Sequence, residues 1–100
     1  MIFYPLKLVT IVTEAALESS LAADIDSLGA QGYTITDARG KGGRGVRNAS
    51  WSTSANIRVE IVCDTEVSKA IAVHLKEHYY DNYAMILYIN DVDVMRPDKF

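Results

Sequence analysis

Two segments of this chain are apolar on both of the alternating sides that a β-strand presents, and only two other segments have helical spacing to cover them. Leu6 to Thr13 (LKLVTIVT) is rich in β-branched residues and reads as a strand buried on two sides. Tyr83 to Ile89 (YAMILYI) has the same character, and Asn90 to Val94 can extend it before Pro97 breaks the pattern. Leu17, Leu21, Ile25 and Leu28 recur at helical spacing, with Glu18, Asp24 and Asp26 on the wet side and Gly29 placed to end the helix. A second helix is expected after Asp64 as N-cap, with Glu66 in its first turn. Its stripe is Val67, Ala70, Ile71, Leu75 and Tyr79, and it ends near Asp81-Asn82. Between the helices, Tyr33 to Asp37 (YTITD) alternates, and Ile57, Val59, Ile61 and Cys63 mark one face of a third strand.

The order β-α-β-β-α-β predicts an α+β fold, a ferredoxin-like sandwich in which four antiparallel strands carry both helices on one face. At 100 residues the chain is one domain, residues 1–100, with no room for a second core. Two helices cover one face of the sheet only, so the other apolar face is expected to pack on another copy of the chain.

At 49% hydrophobic and 23% charged, the composition excludes disordered and fibrous classes, and no apolar run is long enough for a membrane span. The apolar start holds Pro5 and Lys7 with no basic leader before it, so it reads as a strand and not a signal peptide, and no membrane insertion is expected. Cys63 is a lone cysteine and cannot close an intramolecular disulfide, which points to a reducing, cytoplasmic location.

The net charge of −3 hides an asymmetry. Arg39, Lys41, Arg44 and Arg47 lie within nine positions, and no Asp or Glu occurs between Asp37 and Glu60. A domain acidic elsewhere that concentrates cations in one stretch looks like a local anion site. Long nucleic acid calls for a broader basic face, so a small phosphate-bearing ligand suits the pattern better. The same stretch, residues 39–55 (RGKGGRGVRNASWSTSA), lies where a hairpin connection is normally about two to five residues. Its glycines, serines and threonine cannot build a core, so it is expected to order only around a ligand. Gly40, Gly42 and Gly45 spell G-x-G-x-x-G, yet Val46 to Thr53 has no helical stripe, so a dinucleotide fold is not indicated. What survives is local chemistry: successive backbone N–H groups facing one concavity, with Arg44 and Arg47 free to make bidentate contacts to phosphate oxygens.

Thr34-Ile35-Thr36-Asp37-Ala38-Arg39-Gly40-Lys41-Gly42, with Arg58-Val59-Glu60-Ile61-Val62 after it, resembles the strand-to-T-loop junction and third strand of PII signalling proteins. Gly40 to Arg47 (GKGGRGVR) and Tyr83 to Ile89 are closer still to the PII-like branch of SbtB and the carboxysome-associated PII proteins. The resemblance covers nearly the whole chain. It implies a PII-like domain with a T-loop at 39–55, and a homotrimer that holds adenine nucleotide in clefts between subunits. AMP or ADP is the expected ligand, with ATP and cyclic AMP as further candidates, and no prosthetic group is implied. The implied role is regulation of inorganic-carbon uptake or carboxysome function, with bicarbonate as a second ligand and a bicarbonate transporter or carboxysome-associated protein as partner. Carried over by position, the nucleotide contacts are Thr34, Gly40, Lys41, Gly42, Arg44, Arg47, Met85 and Arg96. Asp81 to Ala84 holds no glycine where typical PII proteins have a glycine-rich B-loop, which favours mono- and diphosphates over ATP. No cysteine-bearing tail follows to Phe100, so control through a tail disulfide is not expected. Gly43-Arg44 in place of the usual Arg-Gln, and a loop without tyrosine, argue against 2-oxoglutarate sensing and uridylylation.

Trp51 stands in a Ser/Gly loop with little core to join and is a candidate anchor for a partner protein. His74 and His78, four apart, have metal-binding spacing but lack a third ligand in sequence, and Cys63 shares the apolar side of its strand. No metal site is therefore expected, and no catalytic residue, because neither a nucleophilic triad nor a carboxylate pair converges on the basic loop. Acylphosphatase-type enzymes share this fold but carry their arginine loop between the first strand and helix, where Val12-Thr13-Glu14 has neither arginine nor glycine. An RNA-binding domain of this fold needs aromatics on its central strands, and Lys7 to Thr13 and Ile57 to Cys63 have none.

Overall fold

The computed structural model describes residues 1–40 and 55–100. Strands β1 (Tyr4–Glu14), β2 (Thr34–Ala38), β3 (Asn56–Cys63) and β4 (Met85–Val94) form one antiparallel sheet in the order β2-β3-β1-β4. Helix α1 (Glu18–Ser27) joins β1 to β2 and α2 (Thr65–His78) joins β3 to β4. The result is the expected ferredoxin-like sandwich. β1 is central because its run of β-branched residues can be sandwiched on both edges, by β3 from Lys7↔Cys63 to Glu14↔Asn56 and by β4 from Tyr4↔Val94 to Thr13↔Met85.

That register, with a side-chain period of two, sends one set of residues to the helices. Val9 and Ile11 of β1 and Ile57, Val59, Ile61 and Cys63 of β3 are fully buried against Leu21 and Ile25 of α1 and Ile71 and Leu75 of α2. Cys63 is thus a core residue, and burial, with the charge of Asp64 beside it, pushes its thiol up to about 11.

The chain enters α1 through a 3₁₀ turn over Ala15–Leu17 and leaves it through Gly29 at φ +104°, the conformation glycine adopts most easily. There the Gly29 N–H donates to the Asp26 carbonyl and the Ala30 N–H to the Ile25 carbonyl, both at 3.3 Å, a Schellman closure. At the start of α2 the Asp64 carboxylate accepts from the Val67 N–H at 2.8 Å. α2 ends at His78 and not near Asp81-Asn82 as the stripe predicts. Tyr79 already departs from helical geometry at φ −125°, and the N–H groups of Asn82 and Tyr83 both turn back to its carbonyl at 3.0 Å. β4 correspondingly starts at Met85, two residues later than expected, and runs to Val94, and Pro97 then opens a second 3₁₀ turn over Pro97–Lys99.

Among the described residues no helix covers the opposite sheet face. Leu8, Val12 and Val62 are half-buried there, and Ile86 and Tyr88 of β4 are 48% and 47% exposed. No helix among the described residues is long and apolar enough to cross a membrane.

Candidate ligand-binding site

The helix-free face contains a groove of about 270 Å³. Its floor is Leu8 of β1 and Val62 of β3, half-buried residues that the pleat turns away from the core. Thr34 and Glu60 stand at its edge, directly paired across β2 and β3, so a hydroxyl and a carboxylate are presented side by side. Gly32 and Tyr33 lead into β2 along the same wall, and a Cβ at Gly32 would meet nothing within 4 Å. Phe100 closes the groove from the far end of the chain. An apolar floor with one hydrogen-bond acceptor and one hydroxyl at the rim suits a flat, amine-bearing ring better than a bare anion.

The ends of the basic loop are held at the opposite end of the sheet. Ala38, the last residue of β2, pairs with Asn56, which pairs with Glu14, and the Ala15 N–H donates to the Ala55 carbonyl at 2.9 Å. The connection from α2 to β4 is pinned beside them. The Ala84 N–H donates to Glu14 Oε2 at 2.8 Å, and the buried Thr13 Oγ1 donates to the Ala84 carbonyl at 2.7 Å, so both polar groups at this residue are satisfied by the end of β1. The other end of that connection is anchored by Tyr79, whose hydroxyl donates to Asp24 Oδ2 at 2.6 Å, with His74 Nε2 at 3.0 Å from the same oxygen. Burial, reinforced by Asp24, raises the Tyr79 phenol above its ordinary value. His78 stacks on His74 with ring centroids 4.3 Å apart, yet among the described residues no three side chains are grouped to hold a metal ion.

The predicted contact residues therefore fall in different places. Thr34 lines the groove. Gly40 is exposed just beyond β2, at the other end of that strand. Met85 is 7% exposed and packs in the core under the helices, so its side chain faces neither the groove nor solvent. Arg96 is exposed at the N-cap of the Pro97–Lys99 turn, four residues before Phe100. Lys41, Gly42, Arg44, Arg47 and Trp51, and with them most of the 39–55 loop, lie outside the described residues. Glu60, Val62 and Leu8 were not singled out from the sequence as groove residues. Their signal is the even-numbered positions of β1 and β3, those left over when the core face is assigned. Phe100 and Glu14 carry no such signal.

The nitrogen regulatory protein P-II family matches this chain over residues 6–99. Among solved structures, a protein of Thermus thermophilus described as PII-like signalling is 47% identical, with a TM-score of 0.84 over 100% of this chain and 99% of its own. CPII of Thiomonas intermedia K12, a nitrogen regulatory PII-like protein bound to ADP, AMP and bicarbonate, is 25% identical with a TM-score of 0.82, covering 99% of this chain and 100% of its own. The same protein bound to ADP and bicarbonate is 26% identical with a TM-score of 0.84, covering 99% and 97%. This chain belongs to the P-II family of signalling proteins.

Proposed function

We propose that this protein senses adenine nucleotides, AMP or ADP, as a homotrimer, with each ligand shared between two subunits, and reports the bound state through the loop at 39–55. The observation that carries this is the division of the site. Thr34 and the end of β2 are separated by four residues of strand, about 13 Å at roughly 3.3 Å per residue, so the groove and the strand ends that flank the basic loop lie at opposite ends of the sheet. A nucleotide gripped at base and phosphate is best served by the groove of one subunit and the loop of its neighbour. The uncovered face with Ile86 and Tyr88 supplies the apolar surface for such packing. CPII bound to ADP, AMP and bicarbonate supports the ligand class.

In this proposal Arg44, Arg47, Lys41, Gly40 and Gly42 hold phosphate, Thr34 meets the base, Arg96 lies near the shared cleft, and Trp51 anchors a partner protein. Met85 contributes by supporting the 79–84 connection from the core. The resemblance to the SbtB and carboxysome-associated branch supports a cytoplasmic role in inorganic-carbon uptake or carboxysome function. Bicarbonate is then the second ligand, and a bicarbonate transporter or carboxysome-associated protein the target. Calorimetry with AMP, ADP, ATP and cyclic AMP tests the core of this reading. Micromolar binding of AMP or ADP is expected, and no binding below millimolar concentrations to any of the four overturns it. Arg44→Ala and Arg47→Ala are each expected to weaken AMP binding by about 1.5–3 kcal/mol, the worth of a charge-assisted hydrogen bond, and to leave adenosine binding nearly unchanged.

A further inference from the structure

We propose that Phe100 is the base-stacking wall of the ligand groove and sets its preference for an aromatic heterocycle. The inference rests on the reading of the groove as the base-binding half of a nucleotide site.

The path of the chain is the first reason. β4 and β2 are the two edges of the sheet, three strand spacings or about 14 Å apart. β4 ends at Val94 on one edge, yet Phe100 lines a groove beside Thr34 on the other. Residues 95–100 therefore carry the chain from the β4 edge to the groove on the helix-free face. Pro97 fixes the turn that aims the last residue, and the Phe100 N–H donates to the Pro97 carbonyl at 3.2 Å. Met95, Arg96, Pro97 and Asp98 are exposed along this path.

The second reason is the chemistry of the place where the ring lands. Leu8 and Val62 give the groove an aliphatic floor, and Thr34 and Glu60 give it a polar rim. Phe100 remains 37% exposed, and Tyr33, 39% exposed, lines the same groove. Both rings are therefore exposed side chains at the wall of the groove. A planar purine entering between rim and floor would exchange water for an aromatic surface already in position, with no ordering cost for that side chain. A carboxylate at the rim accepts from an exocyclic amine and repels a carbonyl oxygen, so Glu60 adds discrimination between amino and keto bases while Phe100 supplies the affinity.

Calorimetry on the full chain with AMP and with adenosine, for wild type, Phe100→Ala and Phe100→Trp, tests this. Phe100→Ala is expected to weaken both ligands by the same factor, about ten- to a hundredfold, the range found for one stacked base, and Phe100→Trp to retain wild-type affinity. Equal or tighter binding by Phe100→Ala overturns the proposal, because the ring would then be a bystander or a plug. A loss confined to AMP overturns it too, since it would place the effect on the phosphate. As a second readout, Phe100→Trp in a Trp51→Phe background is expected to change its emission saturably with AMP, at the concentration calorimetry gives. Unchanged emission at saturation contradicts stacking. Wild type that binds neither AMP nor ADP removes the nucleotide reading and this inference with it, whereas normal wild-type binding with an indifferent Phe100→Ala removes the inference alone.

Discussion

The two faces of the sheet are built from the same strands and meet opposite fates. On one, Val9, Ile11, Val59 and Ile61 are at 0% exposure beneath α1 and α2. On the other, residues one position along the same strands, such as Val12, Leu8 and Val62, are only half-buried, and Ile86 and Tyr88 stay about half exposed. The difference is one of supply: two helices of 10 and 14 residues suffice to cover one face of a four-stranded sheet. The first face is finished by the chain itself and stabilises the fold. The second is left open, as proposed, for a ligand in the groove and for further copies of the chain.

The largest effect that tests this contrast is on the finished face. Ile11→Ala, at the centre of β1 and of the core, is expected to cost about 2–5 kcal/mol in urea unfolding, and a loss under 1 kcal/mol would mean the core is elsewhere. Ile86→Asp combined with Tyr88→Glu, on the open face, is expected to leave far-ultraviolet circular dichroism unchanged while light scattering falls from trimer to monomer at micromolar concentrations. An unaltered mass for that double variant would break the proposed use of the face. A smaller effect is expected where the two faces meet at the end of β1. Thr13→Val keeps shape but leaves the buried Ala84 carbonyl without its donor, which costs about 1–3 kcal/mol and speeds amide exchange over residues 79–84.

The smallest effect is alkaline. Burial pushes Cys63 from its ordinary 9.0 up to about 11, and burial with the Asp24 bond raises Tyr79. Both groups are neutral when protonated, so the folded state holds their protons more tightly than the unfolded chain. Their contribution is complete below about pH 9 and is lost as pH rises toward about 11. Urea midpoints are expected to stay level from pH 7 to 9 and then fall, and Cys63→Ala to show a shallower fall from a lower start.

The element order, the central place of β1, the Asp64 cap and the Gly29 stop were legible in the chain because each rests on local chemistry: strand periodicity, a side-chain oxygen three residues before an N–H, a left-handed residue after a helix. The same logic overran at Tyr79, where an apolar stripe continues but the ring turns to Asp24 on another helix and the backbone leaves α2. Among the groove residues, Thr34 was singled out in the sequence through its strand and the resemblance to the family. Glu60 became its neighbour only through the β2–β3 register, a pairing between distant segments that no local pattern encodes. Met85 shows the limit from the other side, since its place in the sequence suggested a ligand contact while its pleat position buries it against the helices. The sequence by itself determined which segments become strands and helices and where cations concentrate, because those depend on neighbours within a few residues. Only the tertiary structure decided which alternate residues face helices and which face the groove, and it alone brought Phe100 to the groove that Thr34 lines, because both follow from the packing of segments far apart in the chain.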